Sequence, residues 1–197
     1  MADKIIDYYF TPVSPWTYLG HERFGAIAKR HGAAIHCKPV DFGKIFPASG
    51  GLPLAKRAPQ RQAYRLVELE RWRKFLGVAL NLHPKFFPAS ADLASRLILA
   101  SPAAAQFRLA GALQRAVWAE ERNIADPATL RAIADACGLD GAETVTAAEA
   151  PEAASRCEAL TQEALQRQVF GAPTYVFRDE PFWGQDRLDF LDRALGA

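Results

Sequence analysis

The feature that most restricts this chain is an asymmetry along its length: strand signals concentrate at its two ends, and the long stretch between them is patterned as helix. Lys4 to Phe10 (KIIDYYF) is short, β-branched and aromatic and stops at Thr11-Pro12, the pattern of a buried strand running into a loop. Ser14-Pro15 then opens a helix, with Ser as N-cap and Pro at the first position. Trp16, Leu19, Gly20, Phe24, Ile27 and Ala28 fall on one side of it, and it ends near His31-Gly32. Ile35 to Val40 resumes as a strand, so the opening predicts a parallel pair joined by a right-handed crossover. At the other end Pro173 to Phe177 reads as a strand, Arg178 to Pro181 as a turn and Phe182-Trp183 as a short strand. Gln185 to Ala194 then reads as an amphipathic helix with Leu188, Leu191 and Leu195 inward.

Between these ends, Phe42 to Leu54 (FGKIFPASGGLPL) is rich in Gly and Pro and predicts a loop with at most one helical turn, a candidate binding loop. From Pro59 to about Leu165 helix follows helix, with boundaries at Asn81 to Ser90, Ser101-Pro102, Asp126-Pro127 and Gly138 to Gly141. No internal repeat is present. The expected fold is therefore α/β: a thioredoxin-like βαβ…ββα domain formed by residues 1–41 and 169–197, interrupted by an all-helical domain at 42–168, with a cleft between them. A chain of 197 residues buries enough surface for such a core without disulfide or metal staples.

Charge narrows the function classes. Twenty-four basic and 22 acidic residues leave a net charge of +2, which excludes an electrostatic nucleic-acid binder and favours small-molecule chemistry. Met1 to Phe10 carries Asp3, Lys4 and Asp7 and reads as no secretory leader, and no run reaches the ~18 apolar residues of a membrane span. Cys37, Cys137 and Cys157 are odd in number and widely spaced, consistent with a reducing cytoplasm and with neither a zinc site nor a disulfide framework. His21, His31, His36 and His83 lack metal-ligand spacing and read as structural or surface residues. No GxGxxG, P-loop or GxSxG motif occurs.

In the thioredoxin arrangement the reactive group sits where the first strand meets the first helix, and the proline before the third strand is cis. Here those positions are Ser14-Pro15-Trp16-Thr17 and Ala172-Pro173, whose backbone at Ala172 would be open to an extended peptide. Disulfide exchange needs cysteines at both ends of the tetrapeptide. Ser and Thr remove it but leave a helix N-terminus, whose free N–H groups and dipole stabilise an anion by up to about 2 kcal/mol. Ser14 either only caps the helix, its oxygen accepting from the Trp16 or Thr17 N–H, or it also donates its own O–H to a bound thiolate. The second role lowers the pKa of a thiol that otherwise titrates near ~8.5.

At these residues the chain resembles the 2-hydroxychromene-2-carboxylate isomerases and their relatives, the kappa-class glutathione transferases, over nearly its whole length. The resemblance is carried by Tyr8-Tyr9-Phe10 and Ser14-Pro15-Trp16-Thr17-Tyr18-Leu19 in the opening segment. In the helical insert it rests on Tyr64, Leu69, Arg71, Phe86-Phe87-Pro88, Trp118, Glu120, Arg122, Ile124 and Asp126-Pro127. In the last third it rests on Gly171-Ala172-Pro173 and Phe182 to Leu188.

What the resemblance implies is a glutathione cofactor, with Ser14 facing its sulfur beside Pro15 and Trp16, and the Ala172-Pro173 backbone pairing with its cysteinyl unit. Gln185-Asp186 offers backbone N–H groups and a carboxylate to the γ-glutamyl end; alternatively Asp186 only complements a first helical turn. Trp183 is either a pocket wall or a partly buried core aromatic. Between Lys56 and Lys74 seven basic residues face two acidic ones, most of them expected on a solvated helix face. Of these, Arg61, where the family usually has Lys, or the nearby Lys56 would meet a carboxylate. Gly51 and Ser90 replace asparagines common in the family.

The implied activity is glutathione-dependent interconversion of 2-hydroxychromene-2-carboxylate and trans-o-hydroxybenzylidenepyruvate in naphthalene-type catabolism, by a cytoplasmic homodimer acting on a small aromatic molecule, without nucleic acid or membrane. A kappa-like transferase acting on another electrophile, and a non-enzymatic peptide-binding module on the same fold, are the alternatives.

Overall fold

Strand β1 (Ile5–Phe10) is the spine of a four-stranded sheet in a computed structural model that describes residues 4–197. Residues 1–3, the start of the expected first domain and of the segment read as lacking a leader, lie outside the described residues. From β1 the chain passes through α1 (Pro15–His31) to β2 (Ala34–Pro39), which pairs with β1 in parallel. Strand β3 (Thr174–Phe177) pairs antiparallel with the other edge of β1, and β4 (Glu180–Trp183) antiparallel with β3, giving the order β2-β1-β3-β4. A single 3₁₀ turn at Gln185–Arg187 leads into α9 (Leu188–Gly196), where Leu188, Leu191 and Leu195 are fully buried.

The period-two alternation of β1 explains why both faces of the sheet are covered. Ile6, Tyr8 and Phe10 point into the main core, where the Tyr8 and Tyr175 rings stack with centroids 5.4 Å apart. Tyr9 points the opposite way, into a second cluster with Val40, Phe42, Ile45 and Val176. Between β2 and β3 lie α2 (Phe42–Ser49), α3 (Pro59–Leu76), α4 (Asp92–Ala100), α5 (Ala103–Trp118), α6 (Pro127–Ala136), α7 (Gly141–Glu149) and α8 (Pro151–Gln166). Leu97, Leu109, Leu113 and Trp118 from these helices join Tyr8, Phe24 and Tyr175 in one continuous cluster, so the insert shares its core with the sheet. Among the described residues no helix is long and apolar enough to cross a membrane.

Two elements differ from the sequence reading. The Gly- and Pro-rich stretch after β2 holds a two-turn helix, α2, not a loop with at most one turn. Asp41 caps it, its carboxylate accepting from the Gly43 N–H at 2.7 Å, and Phe42 and Ile45 bury one apolar side that outweighs the composition. Pro47 lies inside α2, which ends two residues later at Ser49 and is followed by Gly50 in the left-handed conformation. The last two helices of the insert, α7 and α8, are separated at Ala150, which is held extended by the following Pro151.

His21, on the inner face of α1, is 3% exposed and stacks on Phe107 with centroids 4.0 Å apart. Gly111 makes this approach possible, since a Cβ there would stand 2.5 Å from His21 Nε2. Burial lowers the His21 pKa from its ordinary value to about 4, partly offset by a hydrogen bond to the Phe107 backbone. The unfolded chain takes up this proton near ~6.5 and the folded chain only near 4, so stability is intact above the first value and falls as pH drops toward the second. Denaturant titrations should show a loss of about 3 kcal/mol across that window. In His21→Phe the slope between these pH values should flatten whatever its absolute stability; equal slopes in the two proteins would show that His21 is not the linked group.

Candidate active site

The local order of residues 11–18 sets the mouth of α1. The Ser14 backbone N–H donates to the Thr11 carbonyl at 3.1 Å, turning the chain out of β1, and Pro15 supplies the first helical residue. Ser14 has extended backbone angles (φ −79°, ψ 123°), and its Oγ accepts from the Thr17 N–H at 3.3 Å. Ser14 is 9% exposed and lies on the wall of a cavity of about 1010 Å³. Thr17 is fully buried beneath it, and its hydroxyl has no hydrogen-bond partner among the described residues.

The opposite lip is made by the segment before β3. The Ala172–Pro173 bond is cis, as is Phe87–Pro88 on the far wall. The Thr174 hydroxyl donates to the Gly171 carbonyl at 2.7 Å, and Thr174 lies opposite Trp183 in the β3–β4 register. This pairing sets the Trp183 indole against Gly171, where any Cβ would run into its Nε1. Trp183 is 52% exposed and packs edge-on against Phe170, with centroids 4.7 Å apart; it is a wall of the cavity and not a core aromatic.

The third wall comes from the insert. Phe46 on α2 faces the cavity, and its Cδ1 stands 2.5 Å from where a Cβ on Gly51 would sit. An asparagine at position 51 would therefore require the Phe46 ring to shift. Arg57, just before α3, and Arg61 and Arg65, one turn apart on it, also line the cavity. Arg57 Nε donates to the Leu52 carbonyl at 2.8 Å. Burial and the neighbouring Arg61 lower the Arg57 pKa; burial and then Arg57 lower that of Arg65 to about 10. Among the described residues no ion pair involves any of the three. Of the two carboxylates on the wall, Asp92 pairs with Arg96 and Asp41 caps α2. The cavity thus has a cationic bias that water exclusion strengthens.

Of the residues expected at the site from sequence, Ser14, Pro15, Trp16, Arg61, Ala172 and Trp183 meet at this cavity. Lys56, Pro173, Gln185 and Asp186 are not on its wall. Lys56 is exposed on a 3₁₀ turn and does not line the cavity, so between it and Arg61 the cavity takes the arginine. Pro173 is buried behind Ala172, its carbonyl accepting from Gly184 N at 2.9 Å. Gln185 is 2% exposed, its Cβ wedged against Gly20 and its Oε1 accepting from Arg23 at 3.4 Å. The Asp186 carboxylate pairs with Arg187 at 2.7 Å. Arg57, Arg65 and Phe87 were not expected there; the one-turn spacing of Arg57, Arg61 and Arg65 is the signal that marks them as one face.

The chain's own thiols are unreactive by environment. Burial pushes Cys37 up to about 12 and Cys157, on the cavity wall, up to about 11, and it raises Cys137 as well. The site is therefore a thioredoxin-type helix mouth with hydroxyl residues at both cysteine positions.

The model of the DSBA-like thioredoxin domain matches residues 5–196. A 2-hydroxychromene-2-carboxylate isomerase of Sphingobium xenophagum is 31% identical over 193 residues, 98% of each chain. The Pseudomonas putida isomerase of the same name is 30% identical, covering 98% of this chain and 94% of its own. This chain belongs to the 2-hydroxychromene-2-carboxylate isomerase family, within the DsbA-like thioredoxin domains. A solved 2-hydroxychromene-2-carboxylate isomerase superposes with a TM-score of 0.82 at 28% identity, covering 98% of this chain and 94% of that one. A kappa 1 glutathione S-transferase of Caenorhabditis elegans is 32% identical over 82 residues, 41% of this chain and 36% of its own. The cytosolic disulfide reductase DsbM of Pseudomonas aeruginosa, solved with GSH, shares the fold with a TM-score of 0.68 at 17% identity, covering 98% of this chain and 100% of that one.

The electrostatics of the helix mouth in this isomerase-family chain are testable without any substrate. Ser14→Cys should create one thiol titrating below its ordinary value of about 8.5, read from thiolate ultraviolet absorbance against pH, while the three native thiols titrate above it. A new thiol at or above the ordinary value would mean that the mouth of α1 does not stabilise a sulfur anion.

Proposed function

We propose that this chain is a glutathione-dependent isomerase interconverting 2-hydroxychromene-2-carboxylate and trans-o-hydroxybenzylidenepyruvate, a small aromatic substrate pair of naphthalene-type catabolism. One observation carries the reading: a thioredoxin-type helix mouth has Ser14 and Thr17 where cysteines would stand, while the native thiols are buried and their pKa values raised. The sulfur must then come from outside, and full-length similarity to named isomerases fits that need. The cavity of about 1010 Å³ accommodates a tripeptide beside an aromatic molecule.

The residues present fit a tripeptide thiol. Because Ser14 Oγ accepts from Thr17 N–H, its own O–H is free to donate toward a sulfur; Pro15 has no N–H and those of Thr17 and Tyr18 are bound to Ser14, which leaves the Trp16 N–H at the helix mouth. The Ala172 backbone offers strand-like pairing, and Arg57 and Arg61 offer cations to a terminal carboxylate. Glutathione, when bound, supplies a thiolate that adds reversibly to a conjugated carbon, so that a double bond becomes single long enough to rotate. Ser14 holds the thiol in its ionised form; Trp16, Phe46 and Trp183 exclude water from the reacting face. The reading includes a homodimer, supported by the exposed Tyr64, Val67 and Phe75 along α3, and a reducing cytoplasmic setting, supported by three unpaired cysteines.

A transferase on the same site is favoured by the partial similarity to a kappa-class enzyme; it would consume free thiol over time, which isomerisation does not. A peptide-binding module without chemistry would show peptide affinity independent of glutathione. Ultraviolet monitoring of hydroxychromene carboxylate should show isomerisation accelerated by glutathione, and Ser14→Ala should slow it about 10- to 100-fold at equal glutathione. Identical rates with and without glutathione, in both proteins, would end the proposal.

A further inference from the structure

Arg65 differs from the other two arginines of the cavity. Its guanidinium carbon lies 5.5 Å from the Phe87 ring centroid and 5.7 Å from that of the fully buried Trp118, and these two rings pack on each other with centroids 4.8 Å apart, so the group sits over an aromatic pair. Arg57 spends its Nε on the Leu52 carbonyl, and Arg61 is exposed. Arg65 is half-buried on the cavity wall and has neither an ion-pair partner nor a side-chain hydrogen bond among the described residues. A cation withdrawn from water without a counter-ion is unfavourable until an anion arrives. Aromatic faces orient a guanidinium but accept few of its five N–H donors, which leaves a planar fork suited to a carboxylate. Phe87 also lines the cavity, so a conjugated ring whose carboxylate reached Arg65 would meet an apolar surface beside it.

We propose that Arg65 anchors the carboxylate of the aromatic electrophile and thereby makes the cavity select conjugated aromatic carboxylates over their uncharged analogues. The assignment rests on reading the cavity as an isomerase site and adds the side chain that sets its charge requirement. Arg57 and Arg61 remain for the carboxylate of the tripeptide.

Calorimetric titration of trans-cinnamate and trans-cinnamamide, neither of which needs turnover, separates this role from the isomerase reading. The parent protein should bind the carboxylate about 10- to 100-fold more tightly than the amide, the range of one charge-assisted hydrogen-bonded contact. Arg65→Met should bring the two affinities together, and Arg65→Lys should keep part of the difference because it retains charge without the planar fork. Should Arg65→Met lose its thermal transition, Arg65→Gln, polar and uncharged, decides the same point. A preference for the carboxylate that survives in the Met or Gln variant, or equal binding of both probes by the parent, overturns the proposal. Parallel titrations with glutathione report on the other reading: a carboxylate preference that depends on Arg65 in a protein with no glutathione affinity would leave Arg65 assigned and remove the isomerase proposal.

Discussion

Strand β1 is paired on both edges and buried on both faces, and two of the three walls of the candidate site, the mouth of α1 and the segment before β3, are located from it. Ile6, Tyr8, Tyr9 and Phe10 are fully buried, so the strand has no freedom to slide: a one-residue slip would exchange its two faces and drive Tyr9 into the main core. That rigidity fixes where Thr11 turns and where Ser14 begins α1. Through the β1–β3 pairing it also fixes the Ala172–Pro173 segment that faces Ser14, and through the β3–β4 pairing the position of Trp183. The two lips of the cavity are thus held by backbone hydrogen bonds of one sheet.

Charge is distributed to match. The three cysteines are withdrawn by burial, while the cavity carries arginines that have no counter-ion among the described residues. Such a site gains electrostatically when anions enter it, and the helix mouth at Ser14 and the arginines of the α3 segment lie on different walls. Two anionic centres can therefore be held at once without competing for one cation.

How much was legible in the sequence depended on how local the cause was. The capped start of α1 was readable because Ser-Pro acts over four residues, and the strand ends were readable because apolar runs meet turn residues there. Helix α2 was not, because Gly43, Pro47 and Gly50 argue locally for a loop, and the burial of Phe42 and Ile45 that overrides them exists only once α8, β1 and β3 are in place. The Gln185-Asp186 pair was expected at the cavity from its position at the start of the last helix and from the implied glutathione, but Gly20 on α1 admits Gln185 so closely that its side chain is spent on packing and on Arg23.

The sequence by itself determined the βαβ and ββα ends, the absence of a redox cysteine pair and the hydroxyl at the helix mouth, because each is written in residues adjacent along the chain. Only the tertiary structure decided which of seven basic residues in the α3 segment face the cavity, that Phe46 occupies the space beside Gly51, and that Arg65 lies over the packed Phe87 and Trp118 rings with no counter-ion among the described residues. Those facts depend on how separate helices pack, and packing is set by side chains far apart in sequence that meet only after the core has closed.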